Sequence, residues 1–90
     1  MPAMEIQAMI LSLLADSPVV SNKVLEDVTN LVYAGEEGLA FDTLCEWIYE
    51  DDLPITGAYF ERLRVVATEL HISESMRGLE ELITEGEPEP

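Results

Sequence analysis

Cations are scarce in this chain: four Lys and Arg stand against nineteen Asp and Glu, for a formal net charge of −15 over 90 residues. Proteins that bind a phosphate backbone draw most of their affinity from Lys and Arg. Direct binding to DNA or RNA is therefore not expected, and neither is docking on an anionic membrane surface. A single cysteine, Cys45, allows no internal disulfide and fits a reducing cytoplasm. Long apolar runs are missing too: the longest uncharged stretch that lacks proline, Ile6 to Ala15, is ten residues, too short to span a bilayer. No basic region precedes that run, so a secretory signal is not expected. The glycine patterns of nucleotide loops, the nucleophile elbow, the ligand spacing of an EF-hand loop and the Glu-x-x-His pair of di-iron bundles are all lacking. An enzyme is accordingly not expected, nor a metal or other cofactor.

What the chain does have is apolar residues, 48% of the total. That fraction separates it from a disordered acidic tail, which lacks the side chains to build a core. The apolar positions recur at helical spacing. Ile6, Met9, Ile10, Leu13 and Leu14 define a first helix, over about 3–15, ended by Asp16-Ser17-Pro18. Val24, Leu25, Val28, Leu31 and Val32 define a second, capped by Ser21 or Asn22 and stopped at Ala34-Gly35. Phe41, Leu44, Cys45 and Ile48 share one face of a third, from Glu36 or Glu37 to Glu50. Thr56 caps a fourth, carrying Tyr59, Phe60, Leu63, Val66, Ala67 and Leu70. A fifth is expected from Ser73 or Ser75, carrying Met76, Leu79, Leu82 and Ile83. The expected fold is all-α, a compact bundle of four to five short helices in one domain over 1–84, followed by a disordered acidic tail at 85–90.

Charge placement is the informative feature. No basic residue lies between Lys23 and Arg62. Within that window Asp42, Glu46 and Glu50 are spaced i, i+4, i+8, which lines them along one helical ridge opposite Phe41, Leu44 and Ile48. Like charges at i, i+4 cost a few tenths of a kcal/mol per pair. Asp51 and Asp52 add negative charge at the negative end of the helix dipole, also unfavourable. A local cost without a local gain points to function. Tyr49 borders the ridge and Trp47 lies on its other flank, and aromatics beside carboxylates are a common composition of binding hot spots. The competing assignments are a solvated helix face for the acids and ordinary packing for the two aromatics. Cys45, on the apolar face, reads as a buried inert thiol, and His71 as a partner for a helix C-terminus.

The stretch from Leu31 to Leu70 also resembles a family. Its core is Ala34-Gly35-Glu36-Glu37-Gly38-Leu39-Ala40, then Leu44-Cys45, then Tyr49-Glu50-Asp51-Asp52-Leu53-Pro54-Ile55. This is similar to the MafI-type immunity proteins, small helical antitoxins of polymorphic and contact-dependent inhibition toxins in bacteria. The resemblance implies tight binding of one cognate toxin domain, with the immunity protein a monomer within that complex in the cytoplasm. Many such toxins are nucleases with basic clefts. Carried over by position, the shared acids are Glu36, Glu50 and Asp52. Immunity proteins vary where they touch their toxins, which keeps pairs specific. Two assignments thus stay open: the family-like acids are contacts, or they are scaffold and the contacts include Asp42, Glu46, Trp47 and Glu61.

The expected function is an immunity protein that docks an acidic surface on a basic toxin. Asp42, Glu46, Glu50, Asp51 and Asp52 would supply charge, and Tyr49 and Trp47 apolar anchoring. The alternatives are a nucleic-acid mimic or regulatory adaptor that binds a basic cellular protein, and a helical module that self-associates.

Overall fold

Helix boundaries in this chain follow from capping chemistry. The computed structural model describes residues 3–84; the tail expected at 85–90 lies outside the described residues. Helix α1 (Ala3–Ala15) carries one charged side chain, Glu5, in its first turn. It ends where Ser17 turns back, its hydroxyl donating to the Leu14 carbonyl at 2.8 Å. Helix α2 (Asn22–Tyr33) is capped by the Ser21 hydroxyl, which accepts from the Val24 N–H. It stops at Gly35, which has a φ of +81°. There the Glu36 N–H reaches the Leu31 carbonyl and the Gly35 N–H reaches that of Val32, the paired bonds of a Schellman closure. Helix α3 (Glu37–Glu50) follows at once, and α4 (Gly57–Leu70) begins under the Thr56 hydroxyl, which accepts from the Tyr59 N–H at 3.0 Å.

The four helices bury one continuous apolar cluster. Ile10 of α1, Val28 and Val32 of α2, Phe41, Leu44 and Ile48 of α3 and Leu63 of α4 are all fully enclosed. Among the described residues no polar or charged residue is buried in this cluster; the Tyr59 hydroxyl donates to the Leu13 carbonyl at 2.6 Å and ties α4 to α1. Arg62 reinforces that seam, with a salt bridge to Asp16 at 3.0 Å and a hydrogen bond to Ser12. On the other side of α1, Gln7 donates to the Val32 carbonyl and to the Glu37 carboxylate, fastening the α2–α3 turn. The architecture is the all-α bundle expected from the apolar spacing.

The fifth helix is different from its expectation. Residues 73–82 form two 3-10 turns, Ser73–Met76 and Leu79–Leu82, in place of one α-helix. Arg77 is extended between them and Gly78 has a φ of +87°. That left-handed backbone interrupts an α-helix, and a Cβ on Gly78 would stand 2.5 Å from a ring carbon of Tyr49 in α3, so the backbone passes directly under that ring where only glycine fits. Met76 and Leu79 still reach the core. The segment then closes on the α3–α4 connection, where Ile55 accepts from the Thr84 N–H and donates to the Leu82 carbonyl. Among the described residues, no helix is long and apolar enough to cross a membrane.

Candidate protein-docking face on α3

The apolar face of α3, formed by Ala40, Phe41, Leu44, Cys45 and Ile48, is wholly buried. Helical geometry therefore sends Asp42, Glu46 and Glu50 outward, and all three are exposed. The structure thus brings the sequence-predicted acids onto one surface. Their environments differ, however, and the differences divide them.

Asp42 has a partner within the chain: the Ser75 hydroxyl donates to it at 2.8 Å, pinning the first 3-10 turn to α3. Asp51 is the residue that caps α3, its N–H bonded to the Trp47 carbonyl. Asp52 closes the helix with a φ of +51°. Its N–H bonds to the Tyr49 carbonyl, and the Leu53 N–H reaches back to that of Ile48, a second Schellman closure. Asp and Asn are the side chains that best tolerate this left-handed backbone after glycine. Tyr49, 46% exposed, lays its ring across Gly78. Asp42, Asp52 and Tyr49 therefore have structural work that a sequence reading of local charge does not show, whereas the Asp51 bond is made by its backbone and leaves its exposed carboxylate unpaired among the described residues.

Glu46 and Glu50 do not. Neither side chain makes a hydrogen bond or ion pair among the described residues. Three of the four cations are committed elsewhere, Lys23 to Asp27, Arg62 to Asp16 and Arg64 to Glu61. Glu61, considered above as a contact, is held by Arg64 at 2.7 Å, which keeps its carboxyl below the usual range. Trp47 is 41% exposed, more open than the usual lone tryptophan of a small domain.

Two features escaped the sequence reading. Leu39 is 51% exposed on the outer face of α3, and with Thr43 and Trp47 it forms an i, i+4, i+8 stripe. Thr43 borders an open groove of about 510 Å³ between α2 and α3, with Asp27, Asn30, Leu31 and Ala34 on its far wall. The stripe was legible in the sequence as spacing, but the groove needs two helices in register, which spacing along one helix does not supply.

Elsewhere the chemistry is quiet. Cys45 is fully buried and its thiol is pushed up to about 12, chiefly by burial and secondarily by the Asp42 carboxylate. A thiol so placed is a poor nucleophile. His71 closes α4 through its left-handed backbone, φ +61°, with the Ile72 N–H bonded to the Ala67 carbonyl. No group of three or more His, Cys, Asp and Glu side chains converges as a metal site among the described residues. Comparison with family models, curated proteins and solved structures returns no match to this chain.

Proposed function

We propose that the protein is a binding protein whose acidic α3 face docks on a basic protein, and that this partner is a toxin domain that it neutralises. The observation that carries the proposal is the pair Glu46 and Glu50, exposed and without a cation, beside the exposed Trp47 and Leu39. Carboxylates around a partly open tryptophan combine charge steering with an apolar anchor. The immunity form of the proposal is supported by the resemblance of the Ala34–Ile55 stretch to MafI-type immunity proteins. A nuclease is the toxin class with the best charge complement, because its substrate cleft is basic.

The mechanism would be occlusion. Net charge of −15 attracts a basic surface from a distance. Glu46 and Glu50 then pair with Lys or Arg, Trp47 fills an apolar recess, and nucleic acid is shut out of the covered surface. On-rates should fall as salt rises, while the apolar contact holds the dissociation rate.

Tagged protein is to be purified from its own strain with the neighbouring genes expressed, and its companions identified by mass spectrometry. A single toxin domain at equal stoichiometry is the expected result, with Glu46→Lys plus Glu50→Lys weakening the complex at least ~100-fold, about 2.7 kcal/mol. Recovery of housekeeping nucleic-acid-binding proteins alone would transfer the assignment to a mimic or adaptor. A complex indifferent to the double reversal would remove α3 from the interface.

A further inference from the structure

We propose that the exposed indole of Trp47, bracketed by the carboxylates of Glu50 and Asp51, seats an arginine side chain of the partner. The inference rests on the docking function proposed above and names the residue that anchors it. Glu50 and Asp51 follow Trp47 by three and four residues, so they stand one turn on, to either side of it. The Asp51 backbone, φ −92° and ψ 6°, adjoins the helical region, so its side chain keeps that register. Side chains on a helix lean toward its N-terminus, which tilts both carboxylates toward the indole. All three residues are exposed. Among the described residues neither carboxylate has an ion pair, and no cation lies over the indole.

An aromatic face and two carboxylates together select arginine. A guanidinium is flat, so it lies on an indole and still donates in its own plane to carboxylates at its rim. An ammonium is a compact, strongly hydrated point charge and gains less from the same two surfaces. The fold already contains this arrangement once. The Arg62 guanidinium lies 5.6 Å from the Tyr59 ring centroid while it bonds the Asp16 carboxylate at 3.0 Å. At Trp47 the ring and the acids are in place, and the cation is left to a partner. The methylene stem of that arginine would wall the apolar recess that receives Trp47. A second copy of this chain is a poor source of it, because its own charge of −15 repels it.

Trp47 is the only tryptophan, so its indole N–H gives one nuclear magnetic resonance signal that reports the seat directly. Hexa-arginine and hexa-lysine, equal in length and charge, serve as probes of the full chain. The indole signal should reach its midpoint at a concentration at least ~5-fold lower for hexa-arginine, about 1 kcal/mol. Glu50→Gln plus Asp51→Asn should shrink that preference below ~2-fold. Glu26→Gln plus Glu69→Gln removes the same charge from exposed positions of α2 and α4 and should leave the preference intact. Trp47→Leu, followed by calorimetry, should bring the hexa-arginine affinity to within ~2-fold of the hexa-lysine affinity. Equal midpoints in the native chain, a preference that survives Trp47→Leu, or one lost equally with the α2 and α4 pair would overturn the arginine seat and leave the charged docking function standing. An indole signal that neither peptide moves even at low salt would also overturn the seat; the docking function is then judged separately, by the effect of Glu46→Lys plus Glu50→Lys on the captured complex.

Discussion

Tyr49 tests whether the aromatic beside the acidic ridge serves the fold or a partner. Replace Gly78 by Ala. The backbone there has a φ of +87°, so any side chain is strained by about 1–2 kcal/mol. The smaller entropy of the unfolded Ala chain returns about 0.4–1 kcal/mol. The new Cβ would also stand 2.5 Å from one Tyr49 ring carbon and 3.1 Å from the next, where carbon pairs prefer about 3.5–4.0 Å. The ring must move, and overpacking of this kind costs about 1–3 kcal/mol. Gly78→Ala is therefore expected to destabilise the protein by about 2–4 kcal/mol. In a Tyr49→Ala background the obstruction is gone and only the backbone strain remains, about 1 kcal/mol or less. The double-mutant cycle should thus show a coupling of about −1 to −3 kcal/mol, measured by urea unfolding with helix content as the signal. Additivity within about 0.5 kcal/mol would mean that the ring does not hold Gly78 in place, and would restore Tyr49 as a residue free for a partner.

The remaining predictions concern charge and protonation. Ser75→Ala should cost about 0.5–1.5 kcal/mol by chemical denaturation, and nothing further once Asp42 is also Ala, because the two share one hydrogen bond. Asp52→Gly should raise the thermal midpoint by a few degrees, since glycine adopts the φ of +51° without strain and the change removes an anion from a helix C-terminus; an unchanged or lower midpoint would refute this. Alkali should destabilise the fold. In the unfolded chain Cys45 ionises near its ordinary value of 9.0, but in the fold only near 12, and burial raises Tyr59 likewise from 10.0. The stability these groups contribute is complete below pH 9 and is lost as pH rises toward 12, by about 1.4 kcal/mol per pH unit per group. Cys45→Ala should flatten the onset of that decline near pH 9, and a thiol reagent at pH 8 should label Cys45 only as fast as the protein unfolds.

Most of the helical frame was legible because its causes are local. Ser21 and Thr56 cap, Gly35 stops and Pro18 follows a helix end for reasons contained within a few residues. The apolar stripes needed only the helical period. The C-terminal segment was misread as one helix because Met76, Leu79 and Leu82 recur every third residue, a spacing compatible with an α-helix and with successive 3-10 turns. What separates the two is the left-handed backbone at Gly78, over which the Tyr49 ring, far away in sequence, packs. The same non-locality hid the bond that ties Asp42 to Ser75. The outward direction of Glu46, Glu50 and Trp47, by contrast, follows from the period alone once Phe41, Leu44 and Ile48 face the core.

The separation of local from distant causes also bears on which α3 residues the proposed function would use. Asp42, Glu46 and Glu50 form two like-charge pairs on the helix surface, each costing a few tenths of a kcal/mol. For Asp42 a hydrogen bond of about 1 kcal/mol offsets that penalty, and for Asp52 the helix closure gives a reason for an acid at the C-terminus. Glu46 has an acid one turn to either side and no cation or donor of its own, so it bears the repulsion twice with nothing inside the fold to offset it. A lysine there would face Asp42 and Glu50 at i±4 and turn two repulsions into two attractions, about 1 kcal/mol in all. A position where the fold alone would favour the opposite charge, beside an exposed tryptophan, is what the proposed partner surface would account for. That is why Glu46 and Trp47, more than Asp42 or Tyr49, mark the centre of the proposed docking face.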